Sequence, residues 1–132
     1  MTTFTLIISL LVCHFLADYC LTTKQMIEAK ATGEKLQHIA LHAAIHTVLM
    51  GIVLLAFGVT TPIAAALSAF EYITHFVIDY CKGLLGRKFP TLGDNTKKPF
   101  WILYGLDQLL HLIVIITIVA FAILDLTHNI GT

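Results

Sequence analysis

The sequence predicts an all-α integral membrane protein: a four-transmembrane-helix antiparallel bundle, N-out/C-out, with a polar intramembrane site in the cytoplasmic half. Three observations lead there. Hydrophobic residues make up 58% of the 132-residue chain and charged residues only 12%, where soluble domains average about a quarter charged. The apolar residues gather into four runs, each able to cross the hydrocarbon core as a helix. Every lysine and arginine lies in or at the edge of two of the three links between those runs.

The four spans, approximately 4–21, 36–57, 62–82 and 100–125, form one domain over 1–132. The first is short and ends in CHFLADYC. It has neither a basic region before it nor a small-residue cleavage pattern after it, so a retained helix is expected, not a signal peptide. Residues 22–35 are polar and basic, with Met26 and Ile27 among charges; they suit either a short helix lying on the membrane surface or a solvated loop. Gly58, Val59 and Thr60 then make a tight link, with Thr61 and Pro62 as cap and first residue of the third span. So short a link makes spans two and three antiparallel neighbours. Residues 83–99, GLLGRKFPTLGDNTKKP, hold glycines and prolines expected to break any regular element. The fourth span opens at the aromatic pair Phe100 and Trp101, suited to a headgroup belt, and a short tail (126–132) follows it.

The basic residues set the orientation. Lys24, Lys30, Lys35, Lys82, Arg87, Lys88, Lys97 and Lys98 all flank the two long links, and none lies near the 58–61 turn or either terminus. By the positive-inside rule both long links are cytoplasmic and both termini outside.

Within these apolar runs stand regularly spaced polar residues. Glu71, His75 and Asp79 follow at intervals of four in EYITHFVIDYCK, which puts them on one helical face. His14/Asp18, His42/His46 and Asp107/His111 repeat the spacing in the other spans. His14, His42, His75 and Asp107 each come about seven residues in from the cytoplasmic end, roughly 10 Å deep at the rise of an α-helix. The helices alternate in direction, yet the pairs always fall in the same half. Inward His/carboxylate pairs from facing helices are how bundles build metal sites. His14, Asp18, His42, His46, His75, Asp79, Asp107 and His111 are therefore the candidate ligands. A divalent metal is expected, Zn²⁺ foremost, as one ion or two. Glu71, one turn deeper, is the candidate general base. Lys82 either snorkels to the headgroups or holds a phosphate at the mouth of the site. Gln108, beside Asp107, is either a hydrogen-bond partner or a substrate contact.

Blander readings apply elsewhere. A lone intramembrane histidine is more often an interhelical hydrogen-bond partner than a ligand, and His38 is read that way. Asp125 and His128 are expected to be solvated and Asp94 to serve a turn. Cys13, Cys20 and Cys81 imply no disulfide framework; they are expected as packed small residues, with thiolate ligation by Cys81 the alternative. Tyr19, Tyr72, Tyr80, Trp101 and Tyr104 are expected as interfacial anchors.

HFLADY at 14–19, THFVIDYCK at 74–82 and LDQLLH at 106–111 resemble the DUF3307 family of small bacterial and phage membrane proteins. The likeness covers most of the chain. It implies a bacterial or phage origin, and with the charge bias a multi-pass protein of the bacterial inner membrane; it implies no activity. His14, Asp18, His75, Asp79, Lys82, Asp107, Gln108 and His111 match the family's pattern. Where the family usually has a glutamine shortly after the first motif, this chain has Thr22, so no substrate contact is carried over there. A looser likeness to membrane-bound metal-dependent hydrolases rests on the intramembrane His/Asp pairs and is an analogy.

The expected function is a metal-dependent intramembrane hydrolase acting on a lipid or lipid-linked phosphate or ester at the cytoplasmic leaflet. The alternatives are a non-enzymatic interaction protein with a structural metal, acting on a host membrane complex, and a small proton or metal-ion transporter. Expected partners are membrane lipids, a second copy of the chain or a host membrane protein, and no nucleic acid.

Overall fold

The computed structural model describes residues 2–130; Met1 and the last two residues of the expected tail, Gly131 and Thr132, lie outside the described residues. The chain forms helix α1 (Thr2–Phe15), continued by a π-helical turn (Leu16–Cys20), then α2 (Lys24–Thr32), α3 (Leu36–Ala56), α4 (Thr61–Lys88), α5 (Pro90–Gly93) and α6 (Lys98–Ile130). No strand occurs among the described residues. Four stretches, Thr3–Cys20, Leu36–Ala56, Thr61–Lys88 and Lys98–Asn129, are long and apolar enough to cross a membrane. The chain is a membrane protein on that ground.

α1 packs against α3 and α6, and α4 packs against the same two, so the long helices form a ring with α1 and α4 at opposite corners. The outer surface is hydrocarbon: Ile52, Ile73, Ile102 and Leu124 are each more than half exposed. Helices apolar all round belong in lipid or in the core of a much larger protein. The bundle's interior divides along its length. One half is apolar, built from Leu6, Leu10, Met50, Leu54, Ile115, Ile118, Val119 and Ala122. The other buries His42, His46, Glu71, His75, Asp79, Asp107 and His111.

Several boundaries differ from expectation, each for a local reason. α4 does not stop near Lys82 but runs through Gly83 and Gly86 to Lys88. Helical geometry survives there because Gly83 is buried against Gly33 at the end of α2, where only a hydrogen fits. The helix ends instead at Phe89, which turns extended (φ −123°, ψ 99°) ahead of Pro90, as the clash with a following proline ring requires. Residues 83–99 thus keep three helical pieces: the end of α4, the single turn α5 and the first residues of α6. α6 likewise starts at Lys98 and passes Asp125 without a break. Asp125 is not simply solvated. Its carboxylate accepts hydrogen bonds from the Thr60 backbone N–H (2.8 Å) and Oγ1 (2.9 Å). Thr60, not Thr61, is the capping residue of α4.

Between α1 and α3, the helical alternative holds over the loop. Thr23 caps α2, its Oγ1 accepting from Met26 N–H at 3.3 Å, and the helix stops at Gly33 in the left-handed region (φ 65°), where glycine is favoured. Met26, Ala29 and Gly33 are buried, so α2 docks on the bundle, against α3 and α4. Cys20 and Cys81 are exposed and Cys13 is half-buried, all as free thiols. The expected packing of the first two is not found, because both project from the outer faces of their helices.

Candidate metal centre

The residues singled out by their spacing meet in the polar half of the bundle. Helical periodicity turns His42/His46 of α3, Glu71/His75/Asp79 of α4 and Asp107/His111 of α6 inward along single stripes. α1 manages the same differently. Its last turn widens into the π-helical turn, closed by a bond from Leu21 N–H to the Leu16 carbonyl at 2.9 Å, and Asp18 sits inside it. Such wide turns concentrate at functional sites. The Asp18 and His14 side chains are 7% and 14% exposed, with His14 Nε2 and Asp18 Oδ2 3.4 Å apart.

Five imidazoles cluster at the centre. Ring centroids lie 3.8 Å apart for His46 and His75, 4.3 Å for His75 and His111, 4.7 Å for His42 and His46, and 4.8 Å for His14 and His46. Two of the rings are anchored from behind. His75 Nδ1–H donates to Glu71 Oε1 at 3.1 Å, and His111 Nδ1–H donates to the backbone carbonyl of Asp107 at 2.8 Å. Those bonds assign the tautomers, leaving a bare Nε2 lone pair on each ring. This is the arrangement by which outer carboxylates and carbonyls prepare histidines to bind metal.

The bare atoms have no hydrogen-bond partner among the described residues: Nε2 of His46, His75 and His111, both oxygens of Asp79, and Oδ1 of Asp107 are all buried and make no hydrogen bond. Buried polar atoms are otherwise almost always satisfied. Their spacing carries further information. Asp18 Oδ1 lies 3.6 Å from His46 Nε2, and Asp79 Oδ2 lies 3.6 Å from both His42 Nε2 and His75 Nε2. These separations are too long for hydrogen bonds. They approach the roughly 3.4 Å that separates ligand atoms around a tetrahedral ion with bonds of about 2.1 Å.

Three groups offer donor atoms within 4.8 Å of one another: His14, His46, Glu71 and His75; Asp18, His42, His46 and His75; and His75, Asp79 and His111. His75 belongs to all three. The described residues thus hold groups able to bind a metal ion, with the imidazole and carboxylate donors that divalent transition metals prefer. None of the three groups includes Cys81.

Two lysines complete the electrostatics. Lys82 Nζ donates to Asp107 Oδ2 at 2.9 Å and lies 5.4 Å from the centre of the Tyr104 ring. Gln108 Nε2 donates to the same Asp107 oxygen at 3.1 Å. The second lysine is Lys30 of α2, which sequence reasoning placed only among the surface charges. Its Nζ donates to Asp18 Oδ1 at 2.8 Å and to His42 Nε2 at 2.9 Å, and lies 3.5 Å from Asp79 Oδ2. Burial disfavours its charge, but the Asp79 and Asp18 carboxylates outweigh that and hold its pKa above the ordinary lysine value. One signal was available: Lys30 follows Met26 by four, so it shares the helical face that docks. Asp94 closes its turn through Thr96, as expected, and His38 is half-buried.

A cavity of about 390 Å³ opens beside the cluster, between the π-helical turn and α2, α4, α5 and α6. Asp18, Lys30, Lys82 and Gln108 form its polar part, and Ile27, Leu92, Phe100 and Leu103 its apolar walls. Tyr19 and Tyr104 also line it and share a hydrogen bond between hydroxyls at 2.7 Å.

Comparison with known proteins adds the family. The profile of the family described as "Protein of unknown function (DUF3307)" matches residues 6–131, and the chain belongs to that family. No curated protein and no solved structure matches it.

Proposed function

We propose that this DUF3307 member is a metal-dependent hydrolase of a lipid or lipid-linked phosphate or ester, drawing its substrate from the cytoplasmic leaflet of a bacterial inner membrane. The observation that carries the reading is the set of bare, buried Nε2 atoms on His46, His75 and His111 beside an Asp79 carboxylate that accepts no hydrogen bond, next to a cavity with apolar walls. A divalent ion bound there supplies Lewis acidity toward a phosphoryl or carbonyl oxygen. His75, Asp79 and His111 are assigned to hold it. Lys82 and Gln108 face the cavity and are assigned to the anionic part of the substrate, since an ammonium paired once with Asp107 still has donors to offer. Glu71 is assigned to proton handling through its hydrogen bond to His75. Apolar walls suit an acyl or prenyl tail, and the clustered basic residues favour a cytoplasmic position for this end of the bundle.

The transport reading has less support. The other half of the bundle core, from Leu6 and Leu10 to Ile118 and Ala122, is hydrocarbon, and an ion path needs polar groups through the membrane. The structural-metal reading uses the same ligands and is separated by activity. Purified protein in mixed micelles is to be assayed for hydrolysis of phospholipids and polyprenyl phosphates. Turnover lost on chelation, restored by Zn²⁺ and absent in folded Asp79→Asn supports the reading. Equal turnover in metal-free protein contradicts it.

A further inference from the structure

The reading of the cluster as a metal site leaves open how many ions it takes, and Lys30 bears on this. Its ammonium meets groups from three separate elements: it donates to Asp18 of the π-helical turn at 2.8 Å and to His42 of α3 at 2.9 Å, and forms an ion pair with Asp79 of α4 at 3.5 Å. That is how a cation is coordinated, not how a surface lysine snorkels, and its side chain is only 15% exposed.

Two of these three partners belong to the metal-capable group of Asp18, His42, His46 and His75, while His75, Asp79 and His111 form another group without Lys30's two closest partners. An ammonium has donors only. The bond from Lys30 therefore uses the lone pair of His42 Nε2, and an imidazole nitrogen has one. The same lone pair cannot also bind a metal ion. His42 Nε2 also lies within hydrogen-bond distance of Asp18 Oδ1, at 3.1 Å; the ring nitrogen that accepts from the shorter Lys30 contact carries no hydrogen to donate there, so the ammonium, which has donors only, faces both as acceptors.

Charge points the same way. Ionised, the buried carboxylates of Asp18, Glu71, Asp79 and Asp107 exceed the ammoniums of Lys30 and Lys82 by two. One divalent ion neutralises that excess; a second would leave the apolar bundle with two uncompensated positive charges, which is costly in lipid.

We propose that the Lys30 ammonium occupies the second cation position of the cluster, so that the centre holds one divalent ion, at His75, Asp79 and His111, while α2 is docked, and admits a second ion at Asp18 and His42 once Lys30 is removed.

The test is a Zn²⁺ titration of the demetallated full-length protein in detergent, reading bound metal per chain by elemental analysis after dialysis. Wild type is expected to saturate at one equivalent and Lys30→Met at two, with unchanged helical circular dichroism. His42→Ala is expected to keep the single equivalent, because its nitrogen is spent on Lys30. Two equivalents in wild type, one in folded Lys30→Met, or loss of the ion in His42→Ala each overturns the proposal and leaves the metal reading standing. No binding by any form overturns both. Should Lys30→Met not fold, the wild-type count and His42→Ala still decide.

Discussion

Gly83 of α4 lies against Gly33 at the end of α2, so close that a Cβ on Gly83 would stand 2.8 Å from Gly33 Cα and 2.8 Å from the Lys30 carbonyl oxygen. The two helices meet backbone to backbone. Lys30, whose carbonyl is part of that contact, extends its side chain into the centre to Asp18 and His42. The contact joins a local feature, a glycine where a helix was expected to end, to the electrostatics of the centre.

Gly83→Ala should therefore push α2 away from α4. A methyl forced into a closed backbone contact costs about 1–3 kcal/mol, and relief comes most easily by undocking the short helix. Hydrogen exchange should accelerate across residues 24–33 and stay unchanged in the apolar half of the bundle. Wild-type exchange rates in α2 would show that the contact does not hold it.

Lys82 and Asp107 make a second check. Lys82→Met leaves a buried carboxylate without its ammonium, a loss of about 3 kcal/mol when a buried pair is broken from one side. Adding Asp107→Asn removes the stranded charge and should recover most of it. A double-mutant cycle on unfolding free energy in detergent reads the coupling, and additivity of the two changes would mean the pair is not energetically linked.

Glu71 reaches the centre through its hydrogen bond to His75. Glu71→Ala should weaken metal binding by about 10–100-fold, the usual effect of removing the group that orients a ligating histidine. Glu71→Gln, which keeps an acceptor for His75 Nδ1–H, should lose less. Equal affinities for all three forms would separate Glu71 from the metal centre.

Asp125 tests the other end. It ties α6 to the start of α4 through two hydrogen bonds to Thr60. Asp125→Ala should cost about 2 kcal/mol, as for charge-assisted hydrogen bonds, and leave metal affinity unchanged. Weaker metal binding in this variant would mean that the two halves of the bundle are coupled.

How much of this was legible in the sequence follows from which forces act locally. The four spans and the stripes depend on composition and on a period of 3.6, both readable along the chain. The convergence of His14, Asp18, His42, His46, His75, Asp79, Asp107 and His111 followed from counting depth. Lys30 was not found, because a lysine on a short polar helix looks solvated until the helix docks, and docking rests on the distant Gly83. Glycine's low helix propensity also argued against α4 continuing past Lys82, and only the tertiary contact overrides it. The π-helical turn at Asp18 has no sequence period of its own. Asp125 looks solvated in the sequence because its partner, Thr60, lies 65 positions away.

The most direct measurement is the metal content of the detergent-purified protein, wild type against His75→Ala, the residue shared by all three ligand groups. One equivalent of zinc or another divalent transition metal is expected in wild type, lost in a variant that keeps its helical content. Wild-type protein that stays metal-free after exposure to Zn²⁺ would contradict it, and the buried histidines would then be a hydrogen-bond network.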